Sequence, residues 1–192
     1  VSVGFPVCTC LILCLVSGRA GGVVDGFIML IMDGILSFPT VLLAITVVSL
    51  FGYGLPQVMI AIGIVFSPVF ARIVRAETMS LMTEGFVESA RALGSSLRRI
   101  VVRHLIPNMM PELIVQSTIT FALAVVIEAS LSFLGLGTQP PDPSWGLMLK
   151  DARGYMFQAP WLAVLPGVTL AATVFSFNYL GDFFSERLNP KL

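Results

Sequence analysis

The densest group of side chains able to do acid–base or electrostatic work lies between 84 and 107: Glu84, Glu88, Arg91, Arg98, Arg99, Arg103 and the single histidine, His104. Carboxylates and guanidiniums at this spacing can pair along a helix, meet phosphate, or meet charges on another protein. A lone imidazole beside Arg103 reads as a surface residue rather than a base or a metal ligand. Two further carboxylates, Asp33 and Glu128, fall inside or beside apolar runs, where a charge is costly unless paired or hydrated. Each either lines a polar pathway or contacts a partner, and for Glu128 the preferred reading is a partner contact or a place at headgroup level. Cys8, Cys10 and Cys14 share one apolar segment without zinc-type partners and read as small hydrophobes. There is no paired nucleophile and base, no metal cluster, and no glycine loop followed by Lys and Ser or Thr. The sequence therefore offers no case for an enzyme: no catalytic residue, no bound cofactor and no metal are expected on this chain.

Such residues must be positioned by membrane helices. Hydrophobic residues make up 56% of the chain and charged ones 11%, with a mean hydropathy of +0.94, against about 25% charged in an ordinary soluble domain. The expected fold class is all-α, a polytopic transmembrane protein forming one domain over 1 to 192. Residues 1 to 18 are uncharged and close at Gly18, Arg19, Gly21 and Gly22. The 38 residues from Gly34 to Ala71 carry no charge and are interrupted at "FGYGLPQ", which divides them into helices at 27 to 50 and 56 to 76. Pro39 and Pro68 should kink or open them. Further spans are expected at 107 to 132 and 159 to 181, giving five. No cleavable signal peptide is evident.

On this map Arg19, Arg72, Arg75, Arg91, Arg98, Arg99, Arg103, Arg187 and Lys191 lie on one side, and only Lys150 and Arg153 on the other. Nine against two puts the 77 to 105 loop and the C-terminus in the cytoplasm, and the loops at 51 to 56 and 133 to 158 outside. Within the cytoplasmic loop, Thr83 is expected to cap a helix running to Gly94, with Ala90, Leu93 and Phe86 as its apolar stripe and Glu88 within reach of Arg91 or Arg98. Ser95 is expected to cap a second helix, "SLRRIVVRHL", that ends at Pro107. The plainer reading is a basic loop obeying the positive-inside rule, its arginines reaching phospholipid headgroups. The sharper one is a docking element, in which a small face at Ser89, Ala90 and Ala92 admits another protein and Gly94 fixes the bend.

The run "ESARALGSSLRRIVVRHLIPN" resembles the "EAA" loop of permease subunits in binding-protein-dependent ABC importers, with Ser89 at the second alanine position. "LSFPTVLLA", "ARIVRAE", "EASLSFLGLGTQPPDPSWGLML" and "NYLGDFFSERLNPKL" are similar to the C-type permeases of the dipeptide, oligopeptide and nickel importers, so the resemblance covers almost the whole chain. It implies a bacterial inner-membrane, multi-pass permease of type I fold that forms half of a translocation pathway for di- or oligopeptides. Its implied partners are a second homologous permease (a heterodimer), two cytoplasmic ABC ATPases that bind ATP and Mg, an extracytoplasmic substrate-binding protein and the lipid bilayer, with no nucleic acid. Carried residue by residue, it implies ATPase coupling by Glu88, Ser89, Ala90, Gly94 and Pro107; Ala92 of the small face, with Glu84 and Arg98 in the same loop, completes the expected coupling set. Members usually have six spans, so the first span and its connector are expected to be missing here.

In the outer loop, Trp145, Tyr155 and Trp161 read either as interfacial anchors or as docking contacts for the binding protein. Three prolines and three glycines in "SFLGLGTQPPDPSWGLML" favour turns over a continuous helix. Alternative functions are a nickel or other small-solute permease and, from another class, a non-transporting scaffold or remnant. A secondary carrier would need an internal repeat, which is not apparent.

Overall fold

The structure, a computed structural model, describes residues 22–188. Every regular element among them is helical: α1 (Gly22–Leu36), α2 (Thr40–Phe51), α3 (Leu55–Met82), α4 (Gly85–Ala92), α5 (Leu97–Ile100), a π turn (Val101–Leu105), α6 (Ile106–Phe133), α7 (Trp145–Ala152), a 3-10 turn (Arg153–Tyr155) and α8 (Trp161–Leu188).

Three continuous runs are long and apolar enough to cross a membrane, Leu55–Met82, Leu97–Phe133 and Trp161–Arg187; α1 and α2 add a fourth only as one pair bent by 97°. The expected five spans are thus corrected to three or four among the described residues, and the span expected at 1 to 18 lies outside them. The run at 27 to 50 is apolar enough for one helix, but its backbone breaks. Ser37 donates from both N and Oγ to the Asp33 carbonyl, at 3.0 and 2.9 Å, closing α1. Pro39, which has no N–H and disfavours helical geometry at Phe38, then opens α2.

At "FGYGLPQ" the chain turns as expected, through Gly52 and Gly54 at φ +95° and +133°, and Pro56 opens α3 in its first turn. Pro68 lies inside α3, fully buried. It divides the core in two. Phe70, Ala71 and Val74 belong to one buried cluster with Val87, Ile100, Leu105 and Met109. Val58, Ala61, Ile62 and Phe66 belong to another with Ala44, Val48, Ile127 and Leu131. Helix α3 is therefore the post against which α1, α2, α4 and α6 are assembled.

Nor does the second loop helix end at Pro107. It continues as one 37-residue helix, Leu97–Phe133, because the π turn absorbs the proline. Ile106 N–H donates five residues back to Val101 O, and Asn108 Nδ2 donates to the His104 carbonyl at 2.6 Å. The inward residues Ile100, Leu105, Met109 and Leu113 are spaced five, then four, then four. By taking up the extra residue, the wide turn keeps Ile100 and Leu105 on one face.

Helices α6, α7 and α8 meet through small residues. A Cβ on Gly146 would strike the backbone carbonyl of Ala129, and one on Gly181 would lie 2.7 Å from Thr118 Oγ1. Between α6 and α8 the rings of Phe121 and Phe177 are 4.3 Å apart. Close backbone approach is how helices gain packing energy where lipid is as apolar as the side chains. Helix α7 was not expected from a loop rich in proline and glycine; the turns there are confined to 134 to 144, and Ser144 then caps α7 by accepting from Leu147 N at 3.1 Å.

Candidate functional site

Helix α3 ends where Thr83 Oγ1 donates to the Ser80 carbonyl at 2.8 Å. Thr83 thus closes α3 and does not cap α4. The N-cap position of α4 is Glu84, which makes no side-chain cap; its carbonyl accepts from Val87 N and Glu88 N. At the other end, Gly94 N donates to Arg91 O at 2.9 Å and Ser95 N to Ala90 O at 3.0 Å. With Gly94 at φ +77°, these two bonds form a Schellman motif and turn the chain sharply. The next cap is Ser96, not Ser95: Arg99 N donates to Ser96 Oγ at 3.4 Å.

The faces of α4 differ from the expected ones. Val87 is fully buried and Ala90 is 8% exposed, both in the cluster around Phe70 and Val74. Phe86 is exposed and its ring lies 6.1 Å from that of His104, while Leu93 is 85% exposed. Ala90 therefore roots α4 on α3 and is not part of the small outer face. That face carries Glu88, Ser89, Ala92 and Leu93, all exposed, with Ser89 Oγ donating to the Gly85 carbonyl at 2.8 Å. Glu88 forms no ion pair among the described residues, and Arg91 Nη2 instead reaches Met82 Sδ at 3.3 Å. Arg98, Arg99 and Arg103 are exposed on α5 and the π turn, and Pro107 is exposed within the continuing helix. From sequence Leu93 falls in the inward stripe because apolar residues default to the core; the burial of Val87 and Ala90 shows which way α4 faces.

Asp33 and Asp25 form the two ion pairs among the described residues. Arg72 Nη2 donates to Asp33 Oδ1 at 2.6 Å. Arg75 Nε and Nη2 both donate to Asp25 Oδ2 at 2.8 Å, and Nε also to Oδ1 at 3.1 Å. Asp33, a candidate pathway or partner contact, is thus bound within the chain, tying α1 to the end of α3 that leads into α4.

Glu128 is likewise engaged by its own chain. Its Oε1 accepts from Ser132 Oγ at 2.6 Å and Thr138 Oγ1 at 2.9 Å, and Ser132 Oγ accepts from Thr138 N at 2.9 Å. A second Schellman turn at Gly135, φ +83°, brings Thr138 back onto α6: Leu136 N donates to Leu131 O and Gly135 N to Ser132 O, both at 2.9 Å. Of the aromatic docking candidates, Trp145 is half-buried beside Glu128 in a pocket of about 440 Å³, whereas Tyr155 and Trp161 are exposed.

Residues 11–192 match the family model described as "Binding-protein-dependent transport system inner membrane component". Among curated proteins, the chain is 42% identical over 178 residues to the dipeptide transport system permease protein DppC of Alkalihalophilus pseudofirmus, covering 93% of this chain and 59% of that protein. It is 45% identical over 168 residues to the glutathione transport system permease protein GsiD of Shigella flexneri serotype 5b and of Escherichia coli O157:H7, covering 88% of this chain and 55% of each. The chain thus spans somewhat over half the length of these relatives. A chain of the MetNI methionine ABC transporter, solved in inward-facing conformations, superposes with a TM-score of 0.74 at 20% identity, covering 98% of this chain and 89% of that one.

Proposed function

The chain belongs to the binding-protein-dependent transport system inner membrane components, and from that premise we propose that it forms half of the translocation pathway of an ATP-driven importer of di- or oligopeptides. Its partners in this reading are a second homologous permease, two cytoplasmic ATPases that bind ATP and Mg, and an extracytoplasmic substrate-binding protein. Peptide cargo is favoured over nickel because the relatives are described as dipeptide and glutathione permeases.

The observation that carries this reading is the construction of the 84 to 107 loop. A lever must be stiff at its root and free at its tip. Val87 and Ala90 are sunk into the same cluster as Phe70 and Val74 of α3 and Ile100 and Leu105 below α6, so displacement of α4 moves two long helices together. Glu88, Ser89, Ala92 and Leu93 stay exposed, and Gly94 sets the corner by its backbone rather than by a flexible linker. Two packed states of such an assembly can exchange as rigid bodies, which lets nucleotide binding on one subunit bias access on another. In this role Glu84 and Arg98 flank the contact, and Pro107 marks where the lever becomes the membrane helix.

Reconstitution tests it. Proteoliposomes holding the complex purified through this chain should take up dipeptide when ATP and the cognate binding protein are supplied, regardless of ion gradients. Co-purification without any ATPase, or uptake driven by a proton gradient alone, would overturn the proposal. A scaffold would bring no uptake at all.

A further inference from the structure

The pocket beside Glu128 has the chemistry of a cation site. It is lined by the polar Glu128, Thr138 and Ser144 and by the apolar bodies of Leu55, Pro143, Trp145 and Met148, and holds about 440 Å³. Its only charged lining residue is Glu128, whose Oε1 is occupied by the two hydroxyls while Oε2 receives no hydrogen bond among the described residues. Among the described residues no Lys or Arg pairs with this carboxylate; both ion pairs there are elsewhere, on Asp25 and Asp33.

The site is also held in shape. Ser132, Thr138 and the turn at Gly135 fix the carboxylate from one side. Gly137 presses so closely on Ser132 that a Cβ there would strike its Oγ, and Gly146 packs on the Ala129 backbone beneath Trp145. A fixed carboxylate with one free oxygen, next to an indole and walled by Leu55, Pro143 and Met148, suits a primary ammonium group on an apolar body: the carboxylate takes its N–H donors and the indole attracts its charge.

We propose that this pocket is an ammonium-binding subsite at the outer end of α6, and, resting on the importer reading, that it receives the N-terminal ammonium of an incoming peptide. The site itself is tested without transport. In the purified complex at mildly acid pH, coupling of glycine ethyl ester to Glu128 by a water-soluble carbodiimide is followed by mass spectrometry. N,N-Dimethyl-L-phenylalaninamide, an ammonium that keeps an N–H donor but cannot itself form the amide, should slow labelling of Glu128 about twofold at a concentration equal to its Kd and about tenfold at ten times that, whereas N-acetyl-phenylalaninamide, a similar body without the charge, should not. Exposed Asp142 serves as the internal control. Equal labelling with both compounds overturns the proposal.

The transport arm uses Glu128→Gln, which keeps an oxygen to accept from Ser132 and Thr138 while removing the charge. Loss of one charge-assisted contact should raise the dipeptide KM about tenfold at normal membrane abundance, and Glu128→Asp should recover part of it. An unchanged KM overturns the assignment to peptide. Selective protection of Glu128 in a complex that imports no peptide would leave the cation site standing and sink the importer reading alone.

Discussion

At Gly94 the backbone adopts φ +77° with no side-chain neighbour within reach of an added Cβ, so the demand for glycine is conformational and not steric. A β-branched residue there pays at least the about 1–2 kcal/mol of the left-handed region, and relieving that strain would open the corner between α4 and α5. Gly94→Val should leave insertion intact and lower ATP-driven uptake about tenfold, in line with losing a coupling free energy of about 1–3 kcal/mol; uptake per unit of permease in vesicles is the measurement, and wild-type uptake contradicts it. Leu93, 85% exposed, supplies the apolar anchor of the proposed contact. Leu93→Asp should reduce ATPase co-purification several-fold without altering permease abundance, whereas Ala90→Asp should deplete the permease itself, because that side chain is buried against α3. The glycine corner was legible from residue types alone. The orientation of α4 was not: over eight residues, Phe86, Val87, Ala90 and Leu93 admit more than one apolar stripe, and the choice is made by what α3 and α6 present.

At the scale of elements, two seams invite tests. Helix α1 is fastened to α3 by Asp33–Arg72 and Asp25–Arg75, the second of them two-pronged. Asp25→Arg should lower steady-state abundance several-fold, as a modest loss of stability does in cells, and the double reversal Asp25→Arg, Arg75→Asp should restore it; quantitative immunoblotting reads both. The seam between α6 and α7 has no slack, since Gly146 faces the Ala129 carbonyl. Gly146→Leu should cost about 1–3 kcal/mol of packing and lower the melting temperature of the purified complex, while Gly154→Leu, with open space around it, should not. Ends and breaks of helices were readable where proline and glycine fall together, as at Gly52, Gly54 and Pro56. Pro107 misled because a proline in the first turn after a π turn does not stop a helix: Ile106 N–H still donates to Val101 O, and Asn108 Nδ2 donates to the His104 carbonyl.

For the molecule as a whole, the distribution of arginine and lysine predicts that α4 and the Gly135 turn face opposite sides of the membrane. With the three native cysteines replaced by serine, an impermeant maleimide applied to intact cells should label Asp142→Cys and spare Ser95→Cys, and inverted vesicles should give the opposite pattern. The membrane character and cytoplasmic loop were readable because charge is so unevenly spread. The pairing of Asp25 with Arg75, fifty residues apart, and the closure of Thr138 on Glu128 were not, because each depends on where separate helices come to rest. One further consequence lies in the unbroken run Leu97–Phe133. Its 37 residues make a rod of about 55 Å, longer than the about 30 Å of a hydrocarbon core, with a lone wide turn near its foot. Because the wide turn takes up one extra residue, removing a single residue between 101 and 105 would let it close to an ordinary α turn with Ile100 still facing inward, whereas removing two would swing Arg98 and Arg99 about 100° around the axis relative to everything above. Natural variants of this protein should therefore tolerate a gap of one residue at the foot of this helix, where the wide turn can close, and not a gap of two.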